Sequence, residues 1–138
     1  MTKHRDTGQA IAELAILLPV LMLIVLGCLD LGRAYSVWVV LCNATREGAR
    51  YASIYPYTAE DGSPSLPRII ARTQADAQAE GITLRAEDIQ VANSVAVDQP
   101  VTVSASYDLQ LMTLYLFGGG PVRIRARTEM MIITGVRS

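Results

Sequence analysis

Hydrophobic and polar positions fall into two regimes along this chain. Between Glu13 and Asp30 sixteen consecutive residues, LAILLPVLMLIVLGCL, carry no charge. With Ala10 to Ala12 the stretch approaches the roughly 20 residues that a bilayer-spanning helix needs. No loop-like cluster interrupts the chain from Gln9 to Ile54, and the one proline in that interval is Pro19. The pattern predicts a single helix of about 45 residues, near 68 Å long at a rise of about 1.5 Å per residue. That is more than twice the roughly 30 Å hydrocarbon core, so the second half of the helix leaves the membrane. Pro19 removes one helical hydrogen bond and predicts a kink or a loosened turn, which membrane helices tolerate.

The second half of the helix has a different pattern. Asp30 and Arg33, and again Glu47 and Arg50, stand three residues apart and predict two surface charge pairs. Ala44, Gly48 and Ala52 recur every four residues, with Thr45, Ala49 and Ser53 in a parallel row. Small rows allow close backbone approach, and this one is expected to pack on the protein's own sheet, with neighbouring subunits as the other candidate. Arg46, Glu47 and Arg50 make the segment amphipathic and exclude a second span.

From Tyr55 to Pro67 the composition is that of a surface loop. Glu60, Asp61 and Ser63 offer oxygens there, but their spacing matches no calcium loop, and a solvated loop is the plainer reading. Leu66 to Glu80 predicts a short helix, with Ser65 as its N-cap and Gly81 as its C′ residue. Ile89, Val91, Val95 and Val97 alternate with polar positions. After Asp98-Gln99-Pro100 so do Val101, Val103, Ala105, Tyr107 and Leu109, which predicts two antiparallel strands. Leu109 to Phe117 is apolar and ambiguous, and Gly118 to Pro121 breaks the chain. In Val122 to Ile133 the residues Val122, Ile124, Ala126, Thr128 and Met130 face one way and Arg123, Arg125, Arg127 and Glu129 the other, predicting a strand with one wet face. Those three arginines are the candidate partner-binding residues, suited to an anionic polymer or a partner's acids, although a charged face also guards a strand against edge aggregation. The expected class is α+β: a long N-terminal helix over 9–54, its membrane-spanning part about 10–30, then a short helix packed on a small antiparallel sheet within 55–138.

Composition narrows the function. A chain of 138 residues, 51% hydrophobic and 6% aromatic, has room for one domain. The net charge of −1 argues against nucleic acid as a partner. Only Lys3 is lysine and the other eleven basic residues are arginine, a choice suited to fixed ion pairs at subunit contacts and also what a GC-rich genome produces. Cys28 and Cys42 on one helix are separated by roughly 21 Å and cannot bridge each other. With His4 the single histidine, the usual zinc and Cys/His catalytic sets are missing, so no enzyme activity, metal or cofactor is expected. Lys3 and Arg5 ahead of the apolar run leave the N-terminus in the cytoplasm and send the rest across the inner membrane. A cleaved secretory signal fits less well, because no small-x-small site follows the run cleanly. Val25-Leu26-Gly27-Cys28 approximates a lipoprotein box, except that Leu26 stands where a smaller residue is preferred.

Gly8 followed by QAIAE, then ELAILLPVLMLIVLGCLDLGRAY and NATREGARYA, resembles the TadE-like pseudopilins of tight-adherence pilus systems, over about Gly8 to Ala52. The family's G-x-A-x-x-E-F segment, L-P within the apolar run, D-x-G-R-A-Y/F stretch and A-x-R-E-G-A-R-Y block occur here in order. The one departure is Leu14, where an aromatic usually follows the glutamate. The resemblance implies that residues 1–8 are a cytoplasmic leader and that a prepilin peptidase cuts after Gly8, making Gln9 the first mature residue. It also implies assembly through the N-terminal helix with other pilin subunits, on a pilus assembly platform, supporting adhesion, and a minor component more than a repeating one. Glu13, Pro19, Asp30, Arg33, Tyr35, Arg46, Glu47 and Arg50 fall in the matching blocks and are the candidate assembly residues. An ionised carboxylate within a membrane is costly, by a few kcal/mol on insertion scales. A neighbour's new α-amino group would answer Glu13 and fix the stagger between helices. Unprocessed, Glu13 also favours the helix N-terminus through the macrodipole. The competing reading is a membrane-anchored binding domain that uses the Arg123, Arg125 and Arg127 face.

Overall fold

The computed structural model describes residues 3–56, 65–93 and 99–133. The candidate loop oxygens of Glu60, Asp61 and Ser63, together with Val95, Val97 and Asp98 of the expected strand and turn, lie outside them. Among the described residues three α-helices and three strands make an α+β arrangement, as the pattern predicts. They are α1 (Lys3–Ile54), α2 (Leu66–Ala79), β1 (Ile89–Asn93), β2 (Pro100–Leu109), α3 (Met112–Leu116) and β3 (Val122–Met131). Helix α1 begins at Lys3, ahead of the expected start at Gln9, and runs unbroken through Pro19. The ambiguous segment after Leu109 resolves into α3.

By contacts the chain divides into two compact units. One comprises Met1–Arg33 with Gln110–Pro121, the other Ala34–Leu109 with Val122–Ser138.

The larger unit holds the sheet. Its order is β1-β2-β3, antiparallel throughout, with Ile89 opposite Ala105 and Leu109 opposite Val122. Period-two alternation puts Val101, Val103, Ala105 and Leu109 of β2 on the buried face and leaves the intervening polar residues at least partly open. On β3 the same alternation buries Ala126 and half-buries Ile124, Thr128 and Met130, with Arg123, Arg125, Arg127 and Glu129 exposed. Val122, at the strand's start, is exposed.

The expected small-residue stripe of α1 belongs to the same core. Val40, Leu41, Ala44, Thr45, Ala49, Ala52 and Ser53 are all buried. Gly48 is set so close to α2 and β2 that an added methyl would overlap the Thr73 hydroxyl and touch Val103. The stripe thus packs on the protein's own sheet and α2. Leu41, Ile69, Val101, Val103 and Ile132 are fully buried, and each such side chain contributes about 1.5–3 kcal/mol of transfer free energy.

Helix α2 ends as predicted and begins differently. Gly81 has φ +85, and the amides of Gly81 and Ile82 donate to the carbonyls of Gln78 and Ala77 (3.0 and 2.9 Å), which satisfies the last turn. Ser65 occupies the N-cap position, but its hydroxyl donates instead to the Tyr55 carbonyl at 2.5 Å. Pro67 has no N–H to cap, and the Arg68 amide is already taken by the Ser65 carbonyl at 3.1 Å. Ser65 therefore serves as a clasp to the end of α1.

Candidate functional site

The first candidate region is the head of α1. Gly8 lies in open helix, with space around its Cα. One turn on, the Gln9 side-chain amide donates to Glu13 Oε1 at 3.2 Å, and both residues are exposed. From Ile11 to Val25 the large apolar residues, Ile11, Leu14, Ile16 to Leu18 and Val20 to Val25, are exposed on every side of the helix. A helix apolar all round needs an apolar medium, and this one is long and apolar enough to cross a membrane.

At the far end of the apolar run the structure corrects a simple expectation. Asp30 does pair with Arg33, but it is buried, 3% exposed, and its main partners lie elsewhere. Its Oδ1 accepts the Met112 amide at 2.9 Å, and Oδ2 accepts the Thr113 amide at 2.7 Å and the Thr113 hydroxyl at 2.6 Å. These amides open α3, whose N-cap position is Leu111, a side chain with no acceptor to offer. Asp30 thus caps a helix far from it in sequence, where a carboxylate also meets the favourable end of the helix dipole. Arg33 stands outside, 3.7 Å from Asp30 Oδ1 and 3.5 Å from the Gln110 carbonyl. The other end of α3 closes on Gly118, at φ +74, with Gly118 and Gly119 amides donating to Tyr115 and Leu114 carbonyls (3.1 and 2.7 Å). A five-residue helix is unstable alone, and here both ends are satisfied.

The remaining α1 candidates sit in the larger unit. Tyr35 is exposed and its ring lies 5.9 Å from that of Trp38. Arg46 is exposed. Glu47 does pair with Arg50, at 3.4 Å, yet its closer partner is Arg72 of α2, whose Nε and Nη2 donate to Glu47 Oε1 at 3.1 and 2.9 Å. Those Arg72 hydrogen bonds, chiefly, hold the Glu47 carboxyl below the usual glutamate range. Inside the core, the Thr45 hydroxyl lies 2.9 Å from the Leu41 carbonyl and 2.9 Å from the Thr128 hydroxyl, joining α1 to β3.

On the wet face of the sheet the three arginines differ. Arg123 grips Asp108, its cross-strand neighbour, through Nε and Nη2 at 2.7 and 2.9 Å. These bonds hold the Asp108 carboxyl below its usual range and raise the Arg123 guanidinium. Arg127 approaches Glu129 at 3.4 Å. Arg125 stands opposite Ser106, in an open cleft that Glu87 and Asp88 also line. Met112, Thr113, Arg72 and Asp108 are hydrogen-bond partners of the candidate residues that the sequence did not disclose. The available signals were the lone acid at the end of an apolar run and the i to opposite-strand charge complement of Asp108 and Arg123.

Residues 8–50 match the family model described as TadE-like protein. No curated protein and no solved structure matches the chain.

Proposed function

We propose that this chain, TadE-like over residues 8–50 and with a helix able to span a membrane, is a single-pass pilin-like subunit of a Tad-type pilus. In this reading the N-terminus is cytoplasmic, a prepilin peptidase cleaves after Gly8, and the remainder lies outside the inner membrane until assembly. The observation that carries it is the coincidence of the matched segment, whose first acid is Glu13, with a helix whose apolar side chains from Ile11 to Val25 are open all round. Subunits would assemble by exchanging lipid contact for helix contact, as small and apolar surfaces do in membranes. The Gln9 side chain already reaches Glu13. Cleavage would place a positive α-amino group at Gln9, and such a group on a neighbour would set the stagger between helices.

Mass spectrometry of the protein from cells with an active prepilin peptidase tests the reading. A mature chain that starts at Gln9 is expected, and one that keeps Met1 to Gly8 would refute it. A binding role for the Arg123, Arg125 and Arg127 face draws less support, because Arg123 is committed to Asp108 and Arg127 faces Glu129.

A further inference from the structure

The segment Gln110–Pro121, QLMTLYLFGGGP, contains no charged residue. It leaves the sheet at Leu109 and returns at Val122, which are paired, and between them it presents an apolar helix to solvent. Tyr115, Leu116 and Phe117 are 71%, 67% and 71% exposed, and Met112 is also open. A hairpin needs only a few residues to turn, so the excursion is not required by the sheet. Exposing three large apolar side chains in a row is unfavourable in water, yet the segment is built to hold them there. Its helix is capped at one end by Asp30 and closed at the other by Gly118.

The place of the tether identifies the occupant. Asp30 is the first charged residue after the sixteen uncharged positions that follow Glu13, and Leu29 and Leu31 beside it are exposed. The exposed apolar surface of α3 is therefore fastened at the level where the apolar surface of the span ends. Arg33, Gln110, Leu111, Met112 and Tyr115 line a shallow open cleft there. A guanidinium beside an aromatic and aliphatic cluster is the composition of a membrane–water boundary, where phosphates and acyl chains lie side by side. We infer that α3 with Phe117 is an interfacial foot. It lies in the headgroup region of the leaflet on the Asp30 side, with Tyr115, Leu116 and Phe117 entering the acyl boundary and Arg33 at the phosphates. The foot fixes the depth and azimuth of the span, which a smooth apolar helix alone leaves free. The inference rests on the spanning role of α1.

The full chain, with Cys28→Ser and Cys42→Ala, is reconstituted at low protein-to-lipid ratio into vesicles of phosphatidylethanolamine and phosphatidylglycerol. A nitroxide is attached at Leu116→Cys, or at Tyr115→Cys as an independent second site. Leu21→Cys marks the span, and Thr83→Cys, at an exposed position in the segment after α2, marks water. Accessibility to oxygen and to a nickel chelate gives the depth of each label. The 116 and 115 labels should favour oxygen over the chelate more than Thr83 and less than Leu21, and Asp30→Asn should shift them toward the Thr83 value. Labels at 115 and 116 that behave as Thr83 does, with Leu21 deep, would overturn the foot and leave the span standing. Leu21 behaving as Thr83 would remove the span itself. Spectral broadening at 116 that grows with protein-to-lipid ratio would assign the surface to a second copy of the chain and overturn the inference.

Discussion

Replacing Gly48 with alanine sets two opposite effects against each other. Alanine is favoured over glycine inside a helix by about 1 kcal/mol, so on α1 alone the change stabilises. In the folded unit the new Cβ would overlap the Thr73 hydroxyl and touch Val103. Thr73 is fully buried and donates to the Ile69 carbonyl at 3.0 Å, so moving the hydroxyl aside gives up a buried hydrogen bond worth about 1 kcal/mol. Overpacking adds about 1–3 kcal/mol. The net expectation is a loss of about 1–3 kcal/mol, which for a unit of this size lowers the melting midpoint by about 4–8 °C per kcal/mol. Removing the obstacle reverses the sign. With Thr73→Ala in place, the nearest remaining side-chain atoms, the Cβ of residue 73 and Val103 Cγ1, lie at 3.4 and 3.5 Å, ordinary contacts. In that background Gly48→Ala should stabilise by up to about 1 kcal/mol through helix propensity. Thermal unfolding of the four full-length proteins in detergent, followed by circular dichroism at 222 nm and referred to Thr73→Ala and wild type, completes the cycle. If Gly48→Ala raises the midpoint in the Thr73 background, or lowers it equally in both, the close approach of α1 to α2 is not what selects glycine here.

Asp30→Ala removes the acceptor for two α3 amides, and hydrogen exchange at Met112 and Thr113 should accelerate by about tenfold or more, whereas unchanged protection would show that Asp30 does not cap α3. Thr45→Val leaves the Thr128 hydroxyl short of a partner and should cost about 1–2 kcal/mol in the same melts; Thr128→Val added to it should cost much less than it does alone. Acid should act through Glu47 and Asp108. Both folded carboxyls are held below their ordinary values of 4.5 and 3.8, chiefly by hydrogen bonds from Arg72 and from Arg123. Each contribution is therefore complete above the ordinary value and fades as pH falls through the folded one. The melting midpoint should hold from pH 7 to about pH 5 and decline below about 4.5, and the double change Glu47→Gln with Asp108→Asn should flatten that decline. A decline identical to wild type would assign the acid sensitivity to other groups.

Much of the fold is legible in the sequence because one-sided burial writes a period into it. The alternation of Val101, Val103 and Ala105, and of Arg123, Arg125 and Arg127, is what a sheet with one wet face demands. The doubled small row of α1 likewise announces a close neighbour, although not that Thr73 would be the atom met. Contacts made through main chain or over long separations leave no such trace. Asp30 spends its acceptors on the amides of Met112 and Thr113, groups that every residue but proline carries, so nothing in the side chains points from one to the other. Met112 to Leu116 is also too short for a helical period to be told from a strand's. Glu47 has Arg50 in easy view at i+3, and its stronger partner Arg72 becomes visible only when α2 is folded against α1.

The bond between Thr45 and Thr128 has a temporal consequence. The two hydroxyls belong to residues 83 positions apart, and Ile132, fully buried, is later still. During synthesis the α1 stripe therefore emerges long before the strands that cover it, and loop closure over such a separation comes late. Throughout that interval Ala44, Gly48 and Ala52 form an uncovered small-residue row, the kind of surface that lets two helices meet at close range. Each newly made chain must finish β3 before its α1 stripe is safe from its siblings, so a ribosome stalled short of Ile132 leaves a protein that is sticky along this row.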